Sequence, residues 1–192
     1  MASNIALALF WFIFVYINWL GFRETGKITL ALSIVCGALV ALLFILRENP
    51  VSVSESPLDW AITLASVLLA IRLRPTSSSE IILGIIIMAL GITLQILSYL
   101  SLNRSFGLVP AERKVKTSGL YRFVRHPIYA SYIILLLGYV ISNYSLVNLA
   151  ISIAVTVLLI IRLNREEKFL LKNEGYRNYL AETRWKLIPL LY

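Results

Sequence analysis

The sequence is poor in the residues that build metal centres and disulfides. Its 192 residues include one cysteine, Cys36, and one histidine, His126. No disulfide can close within the chain, and a zinc site or thiolate cluster is excluded. Charge is also scarce: 15% of residues are charged, against about 25% in a soluble domain. Acidic residues are scarcest, ten against eighteen Lys and Arg, for a net charge of +8. Apolar residues make up 59% of the chain, and the mean hydropathy is +0.81. This composition excludes a soluble globular domain, a disordered chain and a nucleic-acid-binding domain, and leaves a helical integral membrane protein. In such a protein the basic balance matches the cytoplasmic excess of Lys and Arg.

Backbone amides in lipid must bond internally, so each long apolar run predicts a helix. Four runs occupy residues 4–22, 28–46, 58–73 and 81–102. The third is short and fenced by Asp59, Arg72 and Arg74. The first lacks a basic flank and a small-residue cleavage site, and another span follows at once, so it reads as a retained span. From 103 to 126 the chain turns polar, with Arg104, Arg113, Lys114, Lys116, Arg122 and Arg125 against a single Glu112. Two more apolar stretches, 127–141 and 146–163, flank the uncharged Ser142-Asn143-Tyr144-Ser145. A stretch as short as the first rises about 22 Å, less than a roughly 30 Å hydrocarbon core. The pair therefore reads as a bent helical hairpin, followed by a polar and helical tail over 164–192.

Sidedness follows from charge. If the 103–126 loop and the tail share one side, that side holds Arg47, the six loop cations and seven cations from Arg162 onward. The other side keeps only Arg23, Lys27, Arg72 and Arg74. The positive-inside rule makes the richer side cytoplasmic. The expected fold is an all-α polytopic transmembrane bundle: four full spans plus a bent helical hairpin, five to six membrane helices in total. Residues 1–102 form the scaffold. Residues 103–192 (basic loop, hairpin and tail) carry the chemistry. There is no internal repeat of the kind that marks two-fold transporters.

Polar groups inside the first four spans are few: Asn18, Thr63, Ser66 and Gln95. Interhelical hydrogen bonds, worth about 0.6 kcal/mol each, are the plain reading for them. Gln95 stands apart as the only amide in the span that feeds the basic loop. In Ser118–Tyr129, Gly119 permits a tight turn, and Pro127 suits a first helical position while holding His126 extended. His126 then sits where a loop becomes a membrane helix, beside free amides that favour an anionic or hydrogen-bonding ligand. Tyr121 and Tyr129 add rings and hydroxyls at that junction. Arg122 and Phe123 read as interfacial anchors. In Arg162-Leu163-Asn164-Arg165-Glu166-Glu167, Arg162 and Glu166 share one helix face, with Glu167 one position round. A solvated helix end is the plain alternative. The hairpin, however, returns this cluster to the side of His126, where a small polar cofactor could sit. The end of the chain, around Gly175-Tyr176, Tyr179 and Arg184-Trp185-Lys186, reads as an interfacial amphipathic segment or a lid over the pocket.

These residues carry a resemblance. The chain resembles the isoprenylcysteine carboxyl methyltransferase family, within the wider isoprenylcysteine/phospholipid methyltransferase group. The likeness rests on the stretch from Ser118 to Tyr129, the hairpin, Glu166-Glu167, Gly175 with Tyr176 and Tyr179, and Pro189. The resemblance implies an S-adenosyl-L-methionine pocket facing the cytoplasm, with S-adenosyl-L-homocysteine as product. By position, cofactor contacts would come from Arg113, Lys114, Val115, Lys116, Tyr121, His126, Pro127, Ile128, Tyr129, Glu166 and Glu167. Arg162 matches the family arginine implicated in catalysis with the substrate. One departure is Ser131, where the family usually has glycine. The implied acceptor is a prenylated cysteine or a prenylated protein C-terminus, its chain reaching the site from the bilayer lipid. Neither metal nor nucleic acid is called for, and the oligomeric state stays open, a monomer being compatible. Two alternatives remain: methylation of a lipid amine, or a small transporter or assembly subunit without chemistry.

Overall fold

The computed structural model describes residues 2–48, 50, 52–76, 80–102, 105, 107, 109–112, 115–190 and 192. It is mostly helical. In chain order come α1 (Ala2–Thr25), α2 (Ile28–Leu46), β1 (Ser52–Val53), α3 (Pro57–Ala70), α4 (Ile82–Leu102), β2 (Ala111–Glu112), a 3₁₀ turn (Gly119–Arg122), α5 (Pro127–Ser142), α6 (Leu146–Leu170) and α7 (Glu174–Glu182). The two short strands pair antiparallel, Ser52 opposite Glu112, and tie the α2–α3 loop to the basic loop.

Four of these helices, α1, α2, α4 and α6, are long and apolar enough to cross a membrane. The fourth full-length helix is thus the second arm of the hairpin rather than the third apolar run. Helix α3 has 14 residues and α5 has 16, so they rise only about 21 and 24 Å. Arg72, Arg74 and Pro75 end the apolar register of α3. Helix α6 instead continues through Asn164-Arg165-Glu166-Glu167 to Leu170, because its charged side chains find partners.

Polar pins hold the helices at both ends and leave apolar packing between them. At the end away from the basic loop, Glu80 accepts from the amides of Ile28 (2.5 Å) and Thr29 (2.7 Å) at the start of α2. There Asn148 donates to the carbonyls of Asn143 (2.7 Å) and Arg74 (2.8 Å), locking the hairpin turn to the chain after α3. At the opposite end Arg47 donates to Asn4 (2.6 and 2.8 Å), and Arg165 pairs with the buried Asp59 of α3. The side chains of Leu9, Ile13 and Ile17 on α1 face outward, as lipid-facing positions should. Asn18 and Ser66 bond within their own helices, to Phe14 and Thr63, rather than between helices.

Helices α4 and α5 meet most closely, through glycine. A Cβ on Gly84 would lie 2.6 Å from the Gly138 carbonyl oxygen, and one on Gly138 would lie 2.7 Å from that of Gly84. Because backbone stands on both sides, no side chain can yield. Gly138→Val should therefore lower stability by about 2 kcal/mol, read as a drop in the thermal transition of the detergent-solubilised protein. An unchanged transition would mean that the two helices separate freely.

Candidate active site

The 3₁₀ turn places Tyr121 against α4. Gly119 has φ 64°, and a Cβ there would strike the Ser101 side chain, while Ser101 Oγ accepts from the Leu120 amide (3.3 Å). His126 precedes Pro127 at the N-terminus of α5, as its sequence neighbours require. Helix α7 starts at Asn173, which caps it by accepting from Tyr176 N (3.1 Å) and also donates to Glu112 of β2 (2.7 Å). Tyr121, Tyr176 and Tyr179 then pack together as a roof. The Tyr179 hydroxyl donates to the Tyr121 carbonyl at 2.6 Å. Burial pushes the Tyr179 phenol up to about 12, so it remains a donor at neutral pH.

Beneath this roof, between α4, α5, α6 and the basic loop, lies a cleft of about 120 Å³ that is partly open to solvent. Of the residues expected from sequence, Val115, Lys116, Tyr121, His126, Ile128, Tyr129, Arg162 and Glu166 line it. Pro127 is buried as the first residue of α5 and is not on the wall. Arg113 and Lys114 lie outside the described residues. Ser131 is fully buried and returns its hydroxyl to the Ile128 carbonyl (2.7 Å), so it does not narrow the cleft.

Tyr129 organises the polar wall. Its hydroxyl donates to Glu166 Oε2 at 2.6 Å, and its ring lies 5.3 Å beneath the Arg162 guanidinium. One side chain thus orients a carboxyl group and a guanidinium four residues apart on α6. The His126 ring meets Tyr129 edge-on at 5.5 Å.

Glu167 does something else. It turns away from the cleft and takes Arg125 Nε (2.7 Å), His126 Nε2 (3.2 Å) and Lys186 Nζ (3.2 Å). Arg125 also donates to the carbonyls of Thr183 (2.9 Å) and Arg184 (2.6 Å). The amides of Arg125 and His126 bond the carbonyls of Trp185 and Lys186 (2.9 and 2.8 Å). The segment around Trp185 is therefore extended chain stitched to the start of α5. The expected helical tail ends at Glu182, because main-chain pairing claims the residues beyond it. Sequence reasoning passed over Arg125 and Tyr132 as wall residues, whereas Tyr176 and Tyr179, read there as an anchor or a lid, do line the cleft. The signal for Tyr132 was its three-residue spacing from Tyr129, which puts both on one helix face.

The helical membrane bundle thus gathers a carboxylate, a guanidinium and a set of tyrosines around one cleft. The chain belongs to the phospholipid methyltransferase family, whose sequence profile matches residues 79–177, just over half its length. It is thus a multi-pass membrane methyltransferase. No curated protein matches it. The matched region begins just before α4 and ends within α7, so it contains the cleft-lining residues except Tyr179, and not the stitched tail.

Glu167→Gln keeps the volume and removes the charge on which Arg125, His126 and Lys186 converge. Hydrogen bonds to charged groups are worth about 1.5–3 kcal/mol each, so amide exchange over 183–187 should rise about tenfold or more. Glu166→Gln should leave that exchange unchanged. Equal effects of the two substitutions would refute the division of labour between these neighbours.

Proposed function

We propose that the cleft binds S-adenosyl-L-methionine and that the protein methylates the terminal carboxylate of an S-isoprenylcysteine, with the acceptor's lipid chain in the bilayer. The observation that carries this reading is the pair on α6: Arg162 and Glu166 face one cleft, both oriented by Tyr129. The cofactor is compatible with what lines the cleft. Glu166 suits an amino or ribose hydroxyl group, and the rings of Tyr121, Tyr129 and His126 give flat apolar faces. The buried Tyr176 hydroxyl has no hydrogen-bond partner among the described residues, and an unpaired buried hydroxyl is costly unless a ligand meets it. When bound, S-adenosyl-L-methionine supplies a methyl group on a positively charged sulfonium.

The residues then act mainly by holding and drying. A terminal carboxylate, with an ordinary pKa near 3.3–3.7, is ionised at neutral pH, so no side chain has to remove a proton. Arg162, about 7% exposed, can grip both carboxylate oxygens. The tyrosine roof shields one side of the cleft, and water displaced on binding strengthens attraction between opposite charges inside. Orientation of the two partners supplies much of the rate. Fourteen of the eighteen cations belong to the cleft's end of the bundle by chain order, which supports a cytoplasmic site.

The family's phospholipid description favours a second reading, methylation of a lipid amine. An ammonium must lose a proton before it attacks, and His126 on the cleft wall is the candidate base. The two readings separate on substitution. With a carboxylate acceptor, Arg162→Ala should lower kcat/KM by about 100-fold or more, with S-adenosyl-L-homocysteine binding nearly unchanged. With phosphatidylethanolamine vesicles, His126→Gln should be the damaging change and Arg162→Ala mild. Absence of S-adenosyl-L-homocysteine binding to the folded wild-type protein would overturn both.

A further inference from the structure

One polar chain beneath the cleft has no part in that mechanism. Gln95, about 1% exposed in α4, donates from Nε2 to the Tyr99 hydroxyl at 3.1 Å. The Tyr99 hydroxyl stands 3.0 Å from that of Tyr132 on α5. Tyr132 is half-buried and lines the cleft, on the same wall as Tyr129 and Arg162. Gln95 and Tyr99 do not line it. Three polar side chains in contact at membrane depth carry a cost unless each is satisfied, and here the chain runs from the apolar core to one place on the wall.

The Tyr99 oxygen accepts from the Gln95 amide, and between Tyr99 and Tyr132 either hydroxyl can donate. With Tyr99 as the donor, the Tyr132 oxygen accepts its proton. Tyr132 in turn has a proton to give, and the open space beside it is the cleft. Hydrogen bonds in series polarise one another, so each donation sharpens the next. A neutral hydroxyl held as a donor next to an arginine suits an anionic oxygen.

We propose that Tyr132 is a specificity-determining residue that donates a hydrogen bond to the anionic group of the methyl acceptor, with Gln95 and Tyr99 as positioning residues that aim its hydroxyl. Arg162 supplies charge and Tyr132 supplies direction, and a carboxylate has two oxygens to occupy both. The proposal rests on the reading of the cleft as a carboxylate methylation site. It adds a reason for preferring an anion over a neutral or cationic group of the same size.

The test uses the full chain in detergent micelles with N-acetyl-S-farnesyl-L-cysteine as acceptor and its carboxamide as neutral competitor. Tyr132→Phe should raise the acceptor KM about tenfold, the effect of one hydrogen bond to a charged group, with kcat held within about threefold. Calorimetric binding of S-adenosyl-L-homocysteine should stay within about twofold of wild type, and inhibition by the carboxamide should be unchanged. Gln95→Leu should shift acceptor KM in the same direction by a smaller factor, with cofactor-product binding again unmoved. An unchanged acceptor KM in Tyr132→Phe overturns this proposal alone. A shift in Tyr132→Phe with none in Gln95→Leu overturns the relay. Loss of S-adenosyl-L-homocysteine binding in either variant overturns the assignment to the acceptor. If wild type binds S-adenosyl-L-homocysteine but never turns over the carboxylate, the parent reading falls and takes this proposal with it.

Discussion

Successive residues of an α-helix point about 100° apart, and the last turns of α6 put that geometry to use. Arg165, Glu166 and Glu167 follow one another, and each meets a different partner. Arg165 reaches α3 through Asp59. Glu166 reaches the cleft and Tyr129. Glu167 reaches the loop before α5 and the tail through Arg125, His126 and Lys186. A membrane helix can carry three charges in a row only where each is paired or hydrated. Meeting that condition in three directions joins scaffold, cleft and tail at one helix end. The cleft's polar wall therefore depends on α6 holding its rotation about its own axis.

Helix α5 sets the depth. It is pinned at the far end, where the Asn143 carbonyl accepts from Asn148 and the Ser142 hydroxyl donates to the Ile81 carbonyl. From that end its sixteen residues reach back only about 24 Å, to Pro127. A hydrocarbon core of about 30 Å would extend past that point. His126 and Tyr129 are thus drawn below the surface that α4 and α6 reach. The charged residues around them would be costly at that depth without the tail, which covers the gap with main-chain carbonyls from Thr183 to Lys186. The stitched tail and the short helix are two halves of one solution.

Much of this was legible in the sequence, for physical reasons. Apolar runs announce helices because lipid allows nothing else, and His126-Pro127 marks the start of α5 because proline restricts its neighbour. The four-residue spacing of Arg162 and Glu166 places both on one face, and that face is the cleft. The direction of Glu167 was not legible: one step round the helix is either wall or back, and only the neighbouring elements decide which. The tail misled for a related reason. Its residues favour an amphipathic helix locally, yet the amides of Arg125 and His126 lie sixty residues upstream and leave no local pattern. Tyr132 was hidden among apolar neighbours in a span, where a tyrosine reads as packing.

The same logic bears on why this chemistry sits in a membrane. For the proposed carboxylate acceptor, pairing an anion with a cationic methyl donor is weak in water and strong in a dry cleft. A soluble enzyme makes such a cleft by closing over its ligands. Here the walls are membrane helices whose outer faces are already in lipid, so dryness comes with the fold and only the roof must be built. That roof is three tyrosines held by a buried hydroxyl-to-carbonyl bond and a stitched tail. Closing a small lid over a lipid-flanked cleft needs little chain, and α7 needs only nine residues to bring two of those rings over it. The bilayer supplies the bulk of the low-dielectric environment, and the sequence has only to supply the few polar groups that give it direction.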